Sequence, residues 1–256
     1  MAAEGGATSE NAVLGGRLVL RQPLSGHRVG HDAILLAAAT SAHAGDHAVD
    51  LGAGVGAAGL ALARRVEGVS LTLVEIDPAL AALARGNAER NGFSLSVRSL
   101  CLDVAAPAAA FAAAGLPAGS ASHVLMNPPF NAPANPSPDA SRRRAHSAAE
   151  GTLRAWVRTA SRLLRPSGAL TLIWRADGVA EVLAALASGY GAVSLLPIYG
   201  KPRTPAIRIL LRAVKASRAP LAILPGLLLS DSDGKPTAEA DSVLRGGAPL
   251  RLVDVD

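Results

Sequence analysis

The sequence predicts a doubly wound α/β fold: a seven-stranded mixed sheet with a small N-terminal extension and a final antiparallel hairpin. Three observations predict it. From residue 46 onward, short β-branched and apolar runs alternate with helical patterns, which is the signature of βαβ units and a parallel sheet covered on both faces. A glycine loop follows the first of those strands. The last two strands have no helix between them, so they must pair antiparallel.

Residues 1–14 read as a flexible tail. Residues 15–45 hold an extended segment, RLVLRQ, a turn, PLSGHRVG, and a helix of good formers, HDAILLAAATSA; together they cap the main domain. HAVDL is the first strand of that domain (residues 46–215) and GLALARRV its helix. SLTLVEID is the second strand. The next helix opens at Pro78 and stops at Asn91-Gly92. SLSVRSLCLD is the third strand, AAPAAAFAAAG a weak helix and SHVLMN the fourth strand. EGTLRAWVRTASRLL is a strongly amphipathic helix ended by RPSG. ALTLIWR, the helix GVAEVLAALAS, then AVSLLPIY and AIRILLRAVK complete the seven. Residues 216–256, rich in Pro and Gly punctuation, read as a C-terminal extension of the same domain.

Composition narrows the class. At 256 residues with 50% hydrophobic content the chain can bury a large core. One cysteine rules out an internal disulfide and a thiolate metal cluster, and the six histidines lack metal-ligand spacing, so no metal is expected. No stretch reaches the ~18 apolar residues of a membrane span, and the N-terminus lacks the pattern of a secretion signal. A cytoplasmic protein is expected. Between Arg142 and Arg218 there are 14 basic residues against 3 acidic ones, while the rest of the chain is net acidic; that asymmetry points to a polyanionic partner.

The first βα turn is Asp50-Leu-Gly-Ala-Gly-Val-Gly56. Its glycines, Gly52, Gly54 and Gly56, permit a tight turn and close approach of a ligand to the backbone. Gly52 to Ala57 also satisfies a dinucleotide pattern, leaving a nicotinamide or flavin enzyme open. Glu75, at the end of the second strand, suits both hydroxyls of an adenosine ribose and does not separate these cofactors. Asp50 suits a cationic amino acid and sulfonium better than a pyrophosphate. Asp103 suits an adenine amino group. With Asn127, these acids should converge on one crevice at the strand ends.

Four segments in this order and spacing, D50-L-G-A-G-V-G56, E75-I-D77, L102-D103-V104 and N127-P-P-F130, resemble those of class I S-adenosylmethionine-dependent methyltransferases that modify planar amino groups. The resemblance implies the Rossmann-like methyltransferase fold, S-adenosylmethionine as cofactor, and Ile76 and Val104 beside the acids in the cofactor site. The Asn127 side-chain oxygen and the Pro128 carbonyl would each accept one N–H of the acceptor amine, aiming its lone pair at the methyl group. Pro128 and Pro129 fix φ and so preorganise the acceptors. Phe130 would stack on a flipped-out base, worth ~1–3 kcal/mol.

RQPLSGHRVGHDAILLAAA is further similar to the N-terminal element of bacterial tRNA adenine-N6 methyltransferases that modify the adenine beside the anticodon of a valine tRNA. There a Gly/Ser-x-Asp closes over the cofactor, which maps onto Gly30, His31 and Asp32. The loop after Phe130, with Arg142, Arg143, Arg144 and His146, matches a basic substrate clamp of that family, implying an RNA partner, tRNA foremost. Lys201 and Arg203 at the final hairpin, with Arg208, extend the basic surface. Arg154, Arg158, Arg162 and Arg165 form one helical stripe. The same motifs through Phe130 also fit a ribosomal-RNA guanine-N2 or protein glutamine-N5 methyltransferase. A catalytically silent RNA-binding module is the other alternative. Few aromatics are present, so base stacking is expected to rest mainly on Phe130.

Overall fold

A computed structural model describes residues 7–24, 29–129 and 140–252, with backbone only for 140–150. The seven expected strands are present: β3 (His47–Leu51), β4 (Ser70–Glu75), β5 (Val97–Cys101), β6 (Ala121–Met126), β7 (Leu164–Arg175), β8 (Tyr190–Tyr199) and β9 (Ala206–Lys215). They lie in the order β5-β4-β3-β6-β7-β9-β8. β5, β4, β3, β6 and β7 run parallel, and β9 is antiparallel to both β7 and β8. The order reverses between β3 and β6, so a crevice opens where the chain leaves those two strands toward opposite sides.

Alternation along the central strands assigns the faces. Ala48 of β3 and Leu71 and Leu73 of β4 face a cluster holding α1 (His31–Ala39), α2 (Ala57–Arg65) and part of α3 (Pro78–Arg90). Val49, Leu51 and Val74 face a second cluster formed with α4 (Ala108–Ala113), α5 (Ala140–Leu163) and α6 (Val179–Leu186). β6 is buried along its whole length, as befits a central strand covered on both sides.

Two parts of the fold differ from expectation. Within the expected tail, Thr8–Val13 forms a strand, β1, antiparallel to β2 (Leu18–Pro23) in a separate two-stranded sheet. Among the described residues the main sheet has nine strands, because β10 (Ala222–Ile223) and β11 (Leu227–Leu228) pair parallel with β8 and cover the edge expected of the final hairpin. Two-residue strands carry no alternation that a sequence could display. The C-terminal extension then forms α7 (Ala238–Leu244), capped by the Thr237 side chain, and Leu250 N–H donates to Ala38 O of α1 at 2.9 Å. Among the described residues no helix is long and apolar enough to cross a membrane, and no cluster of His, Cys, Asp and Glu could hold a metal.

Two asparagines of the α3 region hold the N-terminal sheet in place. Asn91, which the sequence presents as a helix stop, accepts from Val19 N–H at 3.0 Å and donates to Val19 O at 2.8 Å. Asn87, almost fully buried, accepts from Arg21 N–H at 2.7 Å and donates to Arg21 O at 2.9 Å and to Val55 O of the glycine loop at 3.0 Å. One amide thus ties β2, α3 and the loop together. Asn87→Ala leaves three backbone groups without these partners and should lower the unfolding free energy by about 2–4 kcal/mol, read as a drop in the urea midpoint at unchanged slope. A midpoint matching wild type would remove this role.

Candidate active site

The crevice at the strand ends is a cleft of two lobes, each of about 510 Å³, which share Asp32, Gly52, Asn127 and Arg208. Its floor is the glycine loop. Gly52, Gly54 and Gly56 all have positive φ (69°, 56° and 87°), the left-handed region that side chains disfavour. A Cβ on Gly52 would stand 2.2 Å from Cη2 of Trp156, so that glycine is also required by contact.

Two buried carboxylates shape the loop. Asp50, at 2% exposure, accepts from Gly59 N–H at 2.8 Å, in the first turn of α2. Glu75, at 7% exposure, accepts from Gly54 N–H at 2.8 Å and from Asp77 N–H at 3.0 Å. The loop is therefore pinned from both ends to β3 and β4. Gly59, absent from the expected site, is needed because a Cβ there would meet Leu73 Cδ2 at 2.5 Å and Asp50 Oδ2 at 3.1 Å. Burial pushes the Asp50 carboxyl up to about 7; the Gly59 hydrogen bond opposes this and the nearby Glu75 charge adds to it.

The remaining expected cofactor residues gather here. Asp103 and Val104 line the lobe beside Glu75, with Ile76, whose apolar side chain is 60% exposed. Asp103 Oδ1 accepts from Ala105 N–H at 2.8 Å. Asn127, Pro128 and Pro129 form the opposite wall. The buried Asn127 Oδ1 has no hydrogen-bond partner among the described residues. An amide oxygen kept out of water without a partner is costly, which makes Asn127 a candidate acceptor for an incoming donor.

Phe130 lies outside the described residues, as do the side chains of Arg142, Arg143, Arg144 and His146. Lys201 and Arg203 sit in the exposed β8–β9 turn, Arg203 with φ of 58°. The expected arginine stripe of α5 is broken. Arg154 and Arg158 are exposed, but Arg162 turns inward to Ala106 O at 3.1 Å and Thr159 Oγ1 at 2.7 Å, and Arg165 approaches Asp46 at 3.6 Å. Two residues alter the expected picture more deeply. Trp156 lines the cleft beside Asn127 and the prolines, so Phe130 is not the sole aromatic available to the site. Arg208, expected on the outer surface, turns into the cleft.

A model of the methyltransferase small domain family matches residues 24–201. The chain belongs to that family. It is a class I S-adenosylmethionine-dependent methyltransferase. Among curated relatives, the tRNA1(Val) (adenine(37)-N6)-methyltransferase of Serratia proteamaculans is 30% identical over 72% of this chain and 69% of its own length. The protein of that name from Porphyromonas gingivalis is 31% identical over 60% of this chain and 61% of its own. A solved structure from Agrobacterium tumefaciens, described as a predicted O-methyltransferase, is 34% identical, covers 86% of this chain and 98% of its own, and superposes with a TM-score of 0.74. The fold is shared with a 16S rRNA N2 G1207 methyltransferase of Thermus thermophilus at 22% identity, TM-score 0.55, over 82% of this chain and 50% of that one.

The site fits that cofactor, which supplies an electrophilic methyl group when bound. The open glycine backbone, the buried carboxylate of Glu75 and the acceptors of the Asn127 wall are groups that such a cofactor can use.

The Asp50 carboxyl supplies a test that does not depend on activity. An unfolded aspartate loses its proton near 4, whereas this one keeps it up to about 7 in the native chain. The native state therefore binds more protons across that window, and stability falls as pH rises through it. Asp50→Asn retains an acceptor for Gly59 N–H. It should melt several degrees above wild type at pH 8 and show little difference near pH 4. An equal shift at both pH values would exclude a buried, proton-binding carboxyl.

Proposed function

We propose that the enzyme transfers a methyl group to N6 of an adenine in structured RNA, with tRNA as the substrate, in the cytoplasm. The single observation that carries the amine assignment is the unpartnered Asn127 Oδ1 beside Pro128 in the cleft. The RNA assignment draws on the names of the curated relatives and on the 14 basic against 3 acidic residues between Arg142 and Arg218.

In this reading Asn127 Oδ1 and the Pro128 carbonyl each accept one N–H of the adenine amine. An exocyclic amine conjugated to a ring is a poor nucleophile, because its lone pair is delocalised. Two fixed acceptors favour a pyramidal nitrogen and turn the lone pair toward the cofactor lobe. Glu75 receives the ribose hydroxyls with the acceptor capacity left beyond Gly54 and Asp77. Ile76 and Val104 flank the adenine ring of the cofactor, and Asp103 accepts from its amino group. Phe130 stacks on the target base, and Trp156 closes the wall beside the prolines. Arg142, Arg143, Arg144, His146, Lys201 and Arg203 contact phosphates.

A hydroxyl acceptor is the second reading, favoured by the description of the Agrobacterium tumefaciens relative. Two preorganised N–H acceptors argue against it, since a hydroxyl brings one hydrogen.

Asn127→Ala should lower kcat by about 10²–10³-fold while cofactor affinity by calorimetry stays within about threefold. Glu75→Gln should show the opposite pattern, with cofactor affinity falling about tenfold or more. Methylation at the wild-type rate by the Asn127 variant sinks the amine-holding role. Unchanged affinity in the Glu75 variant removes the ribose role.

A further inference from the structure

The cleft has an uneven charge. Asp32, Asp50, Glu75 and Asp103 line it, and Arg208 is the one lysine or arginine doing so among the described residues. Three of the acids already hold backbone N–H groups: Asp50 that of Gly59, Glu75 those of Gly54 and Asp77, and Asp103 that of Ala105. Asp32, near the start of α1, accepts from Arg208 Nε at 2.9 Å, with both side chains about a quarter exposed (26% and 28%). The guanidinium also donates through Nη1 to Ile207 O at 3.0 Å. It is thus held from two sides at the point where the lobes meet.

An amino-acid group carrying both charges must enter this cleft with the methyl donor. Its ammonium finds acids in abundance. Its carboxylate would be repelled by the ionised ones unless a cation stands nearby. Arg208 lines both lobes, with Asp32, Gly52 and Asn127, so it stands between the lobe of Ile76, Asp103 and Val104 and the lobe that adds Asp50 and Gly54.

We infer that Arg208 is a cofactor-binding residue that recognises the α-carboxylate of the methyl donor, and that Asp32 is a positioning residue that holds its guanidinium in place. This rests on the reading of the cleft as the cofactor site. It changes what Asp32 does: the aspartate reaches the cofactor through Arg208 rather than directly. A planar guanidinium matches a carboxylate in a way that a lysine ammonium does not.

The test is calorimetry on the full chain with two ligands, S-adenosylmethionine and its decarboxylated form, which keeps the sulfonium and the amine. Wild type should prefer the carboxylated ligand by about tenfold or more. In Arg208→Gln that preference should vanish, with affinity for the decarboxylated ligand nearly unchanged. Arg208→Lys, which keeps the charge opposite Asp32, should retain only part of it and guards against a folding defect, checked by its melting temperature. An Arg208→Gln protein that still prefers the carboxylated ligand, or that loses both ligands alike, overturns the inference. So does a variant altered only in KM for RNA, which would make Arg208 a phosphate contact. If wild type binds neither ligand, the reading of the cleft as the cofactor site fails first.

Discussion

Everything at the cleft depends on two carboxylates that face inward rather than outward. Asp50 and Glu75 end neighbouring parallel strands, and each spends an oxygen on a backbone N–H of the loop and helix that follow β3. Such groups cost free energy when buried unless they are hydrogen-bonded. Here the bonds set the path of a loop whose three glycines all have positive φ. With the loop held, Trp156 can rest on Gly52 and the wall formed by Asn127, Pro128 and Pro129 stands opposite.

The topology explains why these groups meet. β3 and β6 are adjacent and parallel, so Leu51 sits beside Met126, and the residues after each strand leave in opposite directions. The glycine loop follows one and Asn-Pro-Pro follows the other. The N-terminal segment adds Asp32 from α1, and β9 adds Arg208 from the antiparallel part of the sheet. A site drawn from seven places in the chain is held by a sheet buried on both faces. The C-terminal extension supports it from behind, through β10 and β11 on β8 and through the contact of Leu250 with α1.

Most of the fold was legible in the sequence because parallel strands and amphipathic helices announce their periods. The seven long strands and the glycine loop fall where alternation and glycine spacing put them. What escaped has weak local signal. Thr8–Val13, TSENAV, is too polar to read as a strand and gains its order by pairing with β2. β10 and β11 are too short for any period. The acids Asp50, Glu75 and Asp103 and the amide Asn127 were legible through their positions at strand ends, whereas Gly59, Trp156 and Arg208 were not. Arg208 reads, with Lys201 and Arg203, as part of a basic surface at the final hairpin, and only the third dimension puts Asp32, 176 residues away, against it. Trp156 carries no motif of its own in the sequence; its contact with Gly52 follows from how α5 packs against the loop.

The most direct measurement of the central claim is the product itself. Purified enzyme and labelled S-adenosylmethionine are incubated with tRNA, ribosomal RNA and protein from cells lacking this gene, and the labelled products are digested to nucleosides and amino acids. Label in tRNA as N6-methyladenosine, absent with Asn127→Ala, is the predicted result. Label on a hydroxyl, on guanine N2 or on a protein amide would contradict the proposed acceptor, and label that persists with Asn127→Ala would contradict the way the amine is held.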